Sequence, residues 1–301
     1  MPKRLLLFAF ILPFLCCITL RAQTDWSKIE VKVIKVSGNV YMLQGAGGNI
    51  GVSVGPDGFF LVDDQYVELA DKIKAALKTL GDGKVKFIVN THYHLDHVGN
   101  NASFGPDVVI IADPNCLKRL STDQVSKFFN RTFSALPKEA LPTRTYKNKT
   151  SVFFNGEKIK IEHLANSHTD GDSVVFFPRS NVVHMGDNFF NPRFPIVDLE
   201  AGGNAVNMAR HVGDIISRLE KTPDVKVIPG HGPLTDLNGL KAYHRMLMET
   251  TDMVRKRMAA GKTLDQIKAE GLPEEWKPWG SGFIKTDVWL TLVYNSLSAK
   301  K

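Results

Sequence analysis

An α/β fold built from two strand-rich halves is predicted by three features of this 301-residue sequence. Short apolar runs separated by glycine-containing turn signals fill residues 31–62, a helical pattern over residues 63–80 follows, and a second strand-rich section opens at Ser151. With 43% hydrophobic and 23% charged residues the composition is that of a globular protein, and the length suffices to bury a substantial core.

The first residues follow a different pattern. Lys3 and Arg4 precede an apolar run over residues 5–20, interrupted by Pro13 and followed by Arg21-Ala22-Gln23. A basic start, a short apolar stretch and a small residue at a cleavage point read as a secretory signal peptide over residues 1–22. The run is short for a bilayer span, so no stable membrane insertion is expected after cleavage. Residues 23–301 are then expected as a single periplasmic or secreted domain with a helical extension at the C-terminus. Loss of Lys3, Arg4 and Arg21 lowers the formal charge from +7 to +4, and no dense basic block remains to hold nucleic acid. Cys116 is then the single cysteine, which rules out an intramolecular disulfide; near a helix start, it reads as a packed thiol.

Residues 31–36, 40–43, 50–54 and 59–62 read as an antiparallel meander, turned by Ser37-Gly38-Asn39 and Gly55-Pro56-Asp57-Gly58. Gly45, Gly47 and Gly48 lack the lysine and the following helix of a phosphate loop, so they read as a flexible hairpin or an active-site flap. Asp63 or Asp64 is expected to cap a helix reaching Leu80, with Leu69, Ile73, Ala76, Leu77 and Leu80 on its apolar face. Residues 85–90 form a buried strand after Gly81-Asp82-Gly83.

That strand delivers the most informative stretch, Thr91-His92-Tyr93-His94-Leu95-Asp96-His97-Val98-Gly99. Four metal donors fall within six positions. His92 and His94 point the same way on extended chain, while Asp96 and His97 lie where the chain must turn. The spacing suits imidazoles on one metal and a carboxylate plus an imidazole on another. The stretch resembles the HxHxDH signature of the metallo-β-lactamase superfamily, and the resemblance runs over most of residues 38–235. It implies a four-layer αββα sandwich and a metal-dependent hydrolase.

Residues 108–112 read as a strand, 114–130 as a helix and 131–150 as an aperiodic connector. Residues 152–154 and 159–164 pair across Asn155-Gly156, and further strands fit 174–177 and 182–185. His168 follows a strand in Ser167-His168-Thr169-Asp170-Gly171-Asp172, Asp187 follows His184-Met185-Gly186, and His231 lies in Pro229-Gly230-His231-Gly232-Pro233. Each resembles a later motif of the same family. The resemblance implies that His92, His94 and His168 hold one metal, that Asp96, His97 and His231 hold a second, and that Asp187 bridges them. Asp96 would also orient the bridging hydroxide. An all nitrogen and oxygen donor set suits two zinc ions, and it also accepts iron or manganese. His184, inside a strand, reads as a hydrogen-bonded core imidazole.

The family acts on β-lactams, thioesters, lactones, sulfates, phosphodiesters and nucleic acids. For this chain a small-molecule substrate is expected, first a β-lactam or a related cyclic amide or ester, with the thioesterase, lactonase and phosphodiesterase branches as the alternative. Zinc β-lactamases frequently place a lysine three residues beyond the position of Asp187; here Phe190 stands there, and Arg193 is the nearest candidate for a substrate-binding cation. A non-catalytic metal-binding or scaffold protein is the competing class, yet all seven ligand positions are filled. No coiled-coil stripe marks an oligomer.

The C-terminal third reads as helices over 204–221, 238–260, 263–269 and 285–297. Met246, Met248, Met253 and Met258 are expected to fill core space, and Trp276 and Trp279 to pack within the chain.

Overall fold

The computed structural model describes residues 24–299, so the expected signal peptide lies outside the described residues. Strands β1 (Lys32–Ser37), β2 (Val40–Gln44), β3 (Ile50–Gly55) and β4 (Gly58–Val62) form the antiparallel meander. Helix α1 (Ala70–Leu80) crosses over to β5 (Val85–Val89), which pairs parallel to β4. The short α2 (Leu95–Val98) carries the end of the histidine motif, and β6 (Val109–Ala112) extends the parallel part of the sheet. After α3 (Pro114–Leu120) come a two-stranded hairpin, β7 (Gln124–Ser126) with β8 (Arg131–Phe133), and β9 (Arg144–Thr145), which completes a seven-stranded sheet.

The second sheet has six strands in sequence order: β10 (Lys149–Phe154), β11 (Glu157–Leu164), β12 (Asp172–Phe177), β13 (Val182–His184), β14 (Lys226–Ile228) and β15 (Thr235–Asp236). Asn155 and Gly156, with φ of 51° and 78°, make the β10–β11 turn as their dipeptide requires. Helix α4 (Ala205–Leu219) connects β13 to the parallel β14, and α5 (Leu237–Ala259), α6 (Leu264–Glu270) and α7 (Thr286–Ser298) complete the chain.

Apolar residues sort these elements into four layers. Val62, Val89 and Ile111 of the first sheet meet Ile161, Val175 and Phe177 of the second in an inner core. On one outer face Ile73 and Leu77 of α1 cover Leu61 and Ile88. On the other, Val212, Leu247 and Trp289 from α4, α5 and α7 cover Val174, Phe176 and Val183. β4 and the Val174–Phe177 part of β12 are therefore apolar on both faces, and both strands are buried along their whole length, as strands between two layers must be. The C-terminal helices share this outer core, where Trp276 and Trp289 are buried and the Trp289 indole N–H donates to Thr250 Oγ1 at 3.0 Å. Met246 is buried, whereas Met248 is 41% exposed. No helix among the described residues is long and apolar enough to cross a membrane.

Three elements differ from expectation. The helix after β4 begins at Ala70, behind a 3-10 turn over Val67–Leu69, because Asp63 and Asp64 are buried and engaged elsewhere. The helix expected over residues 114–130 stops at Leu120 and gives way to the β7–β8 hairpin. The aperiodic connector contains β8, β9 and a 3-10 turn, Lys138–Ala140.

Candidate dinuclear metal centre

All seven expected donors converge where the strands of both sheets end. β5 leads into Thr91, whose backbone N–H and hydroxyl both donate to Asp63 at 2.7 Å, and whose carbonyl accepts from Ser173 of the second sheet at 2.7 Å. This clamp fixes His92 and His94 on the extended chain that precedes α2. Asp96 and His97 lie on α2 itself. His168 follows β11, Asp187 sits in the 3-10 turn Gly186–Asn188 after β13, and His231 follows β14.

The donors form two groups, His92, His94, His168 and Asp187 in one, Asp96, His97 and His231 in the other, each with its ligand atoms within 4.8 Å of one another. In the first, His94 Nδ1 lies 3.1 Å from His92 Nε2 and 3.0 Å from His168 Nε2. In the second, His97 Nε2 is 3.3 Å from His231 Nε2, which is 3.3 Å from Asp96 Oδ2. Asp187 faces both. Its Oδ2 lies 3.7 Å from His92 Nε2 and 3.6 Å from His168 Nε2, and its Oδ1 lies 3.1 Å from His97 Nε2 and 3.3 Å from His231 Nε2.

These contacts fit metal ions. Ligand bonds of about 2.0–2.1 Å in tetrahedral array leave neighbouring donor atoms about 3.3 Å apart. The opposite nitrogen of four imidazoles is already committed: His92 Nδ1 to Thr91 Oγ1, His94 Nε2 to Asp198 Oδ2, His97 Nδ1 to Asp63 Oδ2 and His168 Nδ1 to the Ile196 carbonyl. Each can give its N–H away from the centre and turn a lone pair inward. Asp187 Oδ1, although buried, has no hydrogen-bond partner among the described residues, which fits an oxygen that would take a metal ion instead.

Without metal the charges partition accordingly. Burial, reinforced by the neighbouring imidazoles, pushes His92 well below the ordinary histidine range, and burial takes His168 down to about 4. Burial acts in the same direction on His97 and His231, but Asp187 and Asp96 overcome it, raising His97 strongly and His231 to about 9. Burial disfavours ionised Asp187 and Asp96; the cationic imidazoles prevail, holding Asp187 far down and Asp96 at about 2. Protons thus occupy the second group where a cation belongs.

Two carboxylates that support ligands were not singled out in the sequence for that role. Asp63 was expected only as a helix cap; instead it is fully buried at φ 64° and serves Thr91 and His97. Asp198 accepts from Tyr93 Oη at 2.6 Å as well as from His94, and its backbone N–H donates to the His168 carbonyl at 2.9 Å. A signal for Asp63 exists, an acidic pair closing an apolar strand; none marks Asp198.

His184 is the core imidazole expected, with Nε2 3.0 Å from the Asn49 carbonyl. The glycine loop after β2 packs against α2. Gly48 donates its N–H to the Asp96 carbonyl and packs so closely on His97 that an added Cβ would overlap three atoms of the ring. Phe190 lies flat on His231, with centroids 4.9 Å apart at 20°, and offers no cation where a lysine is often found. Arg193 is exposed, and its side chain packs against Gly282. Cys116 is buried and free. The open side of the centre is marked by His94, Asp96 and His231, which keep 11%, 20% and 23% of their side-chain surface.

Known proteins resemble this chain in sequence and in fold. A stretch of 115 residues is 29% identical to 2,4-dinitroanisole O-demethylase subunit alpha of Nocardioides sp. (strain JS1661), covering 38% of this chain and 32% of that protein. A double mutant of the sec-alkyl sulfatase PisA1, an enzyme of Pseudomonas sp., superposes with a TM-score of 0.69 at 16% identity, over 89% of this chain and 50% of the sulfatase. The DIM-1 metallo-β-lactamase superposes with a TM-score of 0.58 at 18% identity, over 74% of this chain and 99% of the lactamase. The chain thus spans a third of the demethylase subunit and half of the sulfatase. The family model for the metallo-β-lactamase superfamily matches residues 34–231, from β1 to the last of the seven donors. Matched along that whole stretch, and folded with its donors gathered into a dinuclear metal-binding site of hydrolase type, the chain belongs to the metallo-β-lactamase superfamily.

Proposed function

We propose that the chain is a dinuclear zinc hydrolase of small molecules that opens a cyclic amide or ester, a β-lactam or a related ring. The observation that carries this reading is Asp187, whose two oxygens face two separate donor groups. His92, His94 and His168 would hold one ion, Asp96, His97 and His231 the other, and Asp187 both. Bound metal of this kind polarises a carbonyl oxygen and brings a water to ionise near neutral pH. The protein's share is positional. Asp96, on the open side, would orient the attacking oxygen by accepting a hydrogen bond from it. Asp63 and Asp198 hold His97 and His94 so that only lone pairs face inward. Phe190 shields His231 and excludes water from one wall.

Within this class Phe190 favours an uncharged ring, such as a lactone, over a β-lactam antibiotic, whose carboxylate finds no cation at that position. Residues 23–301 would act as one unit, supported by the shared core of the C-terminal helices and the second sheet. Export to the periplasm or medium rests on the N-terminal sequence alone.

The test is metal analysis of purified residues 23–301, coupled to hydrolysis of a β-lactam, a lactone, a thioester and a phosphodiester. About two zinc ions per chain and ring opening lost on chelation are expected. Bound metal with no turnover of any substrate would return the chain to a binding role.

A further inference from the structure

Beside the open side of the metal centre lies an aromatic patch that the metal chemistry leaves unused. Phe128 and Phe129 form the tip of the β7–β8 hairpin, and Phe283 stands on the loop before α7. Phe129 stacks on Phe283 with centroids 6.2 Å apart at 22°, and Phe128 meets them edge-on at 4.9 and 6.4 Å. Phe133 adds a fourth ring 6.0 Å from Phe129. The Phe129 ring lies 6.4 Å from that of His94. Phe128 and Phe283 are 41% and 69% exposed, an unfavourable place for two large apolar side chains.

The hairpin is held in place deliberately. Glu200 Oε2 accepts from the Lys127 N–H at 2.7 Å, the Phe128 N–H at 3.4 Å and Ser126 Oγ at 3.3 Å. Two residues earlier on the same chain segment, Asp198 holds His94. One short turn therefore fixes the aromatic tip and a metal ligand relative to each other. A surface that merely escaped burial has no need of this anchoring.

Resting on the hydrolase reading above, we infer that the substrate carries an aryl or other bulky apolar group, which binds on Phe128, Phe129 and Phe283 while its reacting carbonyl reaches the metals. Water leaves both the substrate group and the exposed rings, so the patch discriminates by apolar area. Glu200 is a positioning residue in this scheme, acting through the hairpin.

The experiment compares γ-phenyl- and γ-methyl-butyrolactone on the zinc-loaded wild type and on a Phe128→Ala/Phe129→Ala/Phe283→Ala variant, with zinc content measured for both. The wild type is expected to show a KM lower by about tenfold for the phenyl lactone, and the variant to lose that ratio while keeping its zinc. Glu200→Gln is expected to lower the ratio in part. A phenyl preference retained by the triple variant would overturn the inference. So would its absence in the wild type. If neither lactone is turned over, the hydrolase reading is what fails for rings, and the patch is judged by fluorescence titration with 8-anilinonaphthalene-1-sulfonate. A tenfold weaker affinity in the variant supports the apolar site, and equal affinity overturns it. Sedimentation that shows a wild-type dimer and a monomeric variant, with the KM ratio unchanged, would assign the patch to a second copy and overturn the inference as well.

Discussion

Asp198 Oδ2 lies 3.1 Å from His94 Nε2, joining residues 104 positions apart in the sequence. Burial alone would raise this carboxyl, but hydrogen bonds from His94 and Tyr93 hold it below the usual carboxylate range. The charged acceptor selects the tautomer that leaves His94 Nδ1 free to face the metal. Asp198→Ala is expected to weaken zinc binding by about 10–100-fold, with Asp198→Asn less severe because its amide oxygen still accepts. Chelator competition measures this, and affinity unchanged in both variants would separate Asp198 from the centre.

Asp187→Ala should remove the shared ligand of both donor groups. Metal content is expected to fall below two per chain and kcat/KM by more than about a hundredfold. Elemental analysis alongside kinetics checks both, and full activity with two metals would dismiss the bridge.

Gly48→Ala tests the glycine loop as a steric device. The added methyl would overlap the His97 ring, and the backbone on both sides is tied to Asp96 and Gly230. His97 must then move, so loss of the second metal is expected with secondary structure preserved in circular dichroism. Gly105→Ala is the control, since nothing lies within 4 Å of an added Cβ there; its φ of 95° costs stability but does not disturb a ligand.

Zinc uptake by the metal-free protein should release protons. With His231 raised to about 9 and His97 raised as well, both are charged at pH 7 and must lose a proton to bind metal. Calorimetry in two buffers of different ionisation enthalpy is expected to show net release at pH 7, with the share of His231 fading as pH rises through about 9. The same shift has a stability sign. A histidine raised in the folded state stabilises fully below its unfolded value near 6.5, and that contribution is lost as pH climbs through about 9. The metal-free protein should therefore melt at progressively lower temperature above neutrality, and a zinc-loaded sample should show less of this loss.

That these seven residues gather was legible because four of them crowd between His92 and His97, and because His168, Asp187 and His231 resemble later motifs of the same family at strand ends. Their supports were not. Asp63 precedes a helical pattern, the usual mark of a cap, but its partners lie 28 and 34 residues away. Asp198 sits in a stretch with no period at all. The helix expected over residues 114–130 ends at Leu120 because the apolar residues beyond it find no core to cover. Val125 is 70% exposed, and Phe129 packs on Phe283 with its ring 6.4 Å from that of His94.

The seven donors are divided between the halves of the chain: His92, His94, Asp96 and His97 close the first sheet, while His168, Asp187 and His231 come from the second. Neither half carries a complete set for either ion. A chain emerging vectorially, or one cleaved by a protease between β11 and β12, would hold at best a weak remnant. Retention of metal, whichever ion it is, would therefore be a checkpoint on assembly, a single readout that both sheets have folded and docked in register.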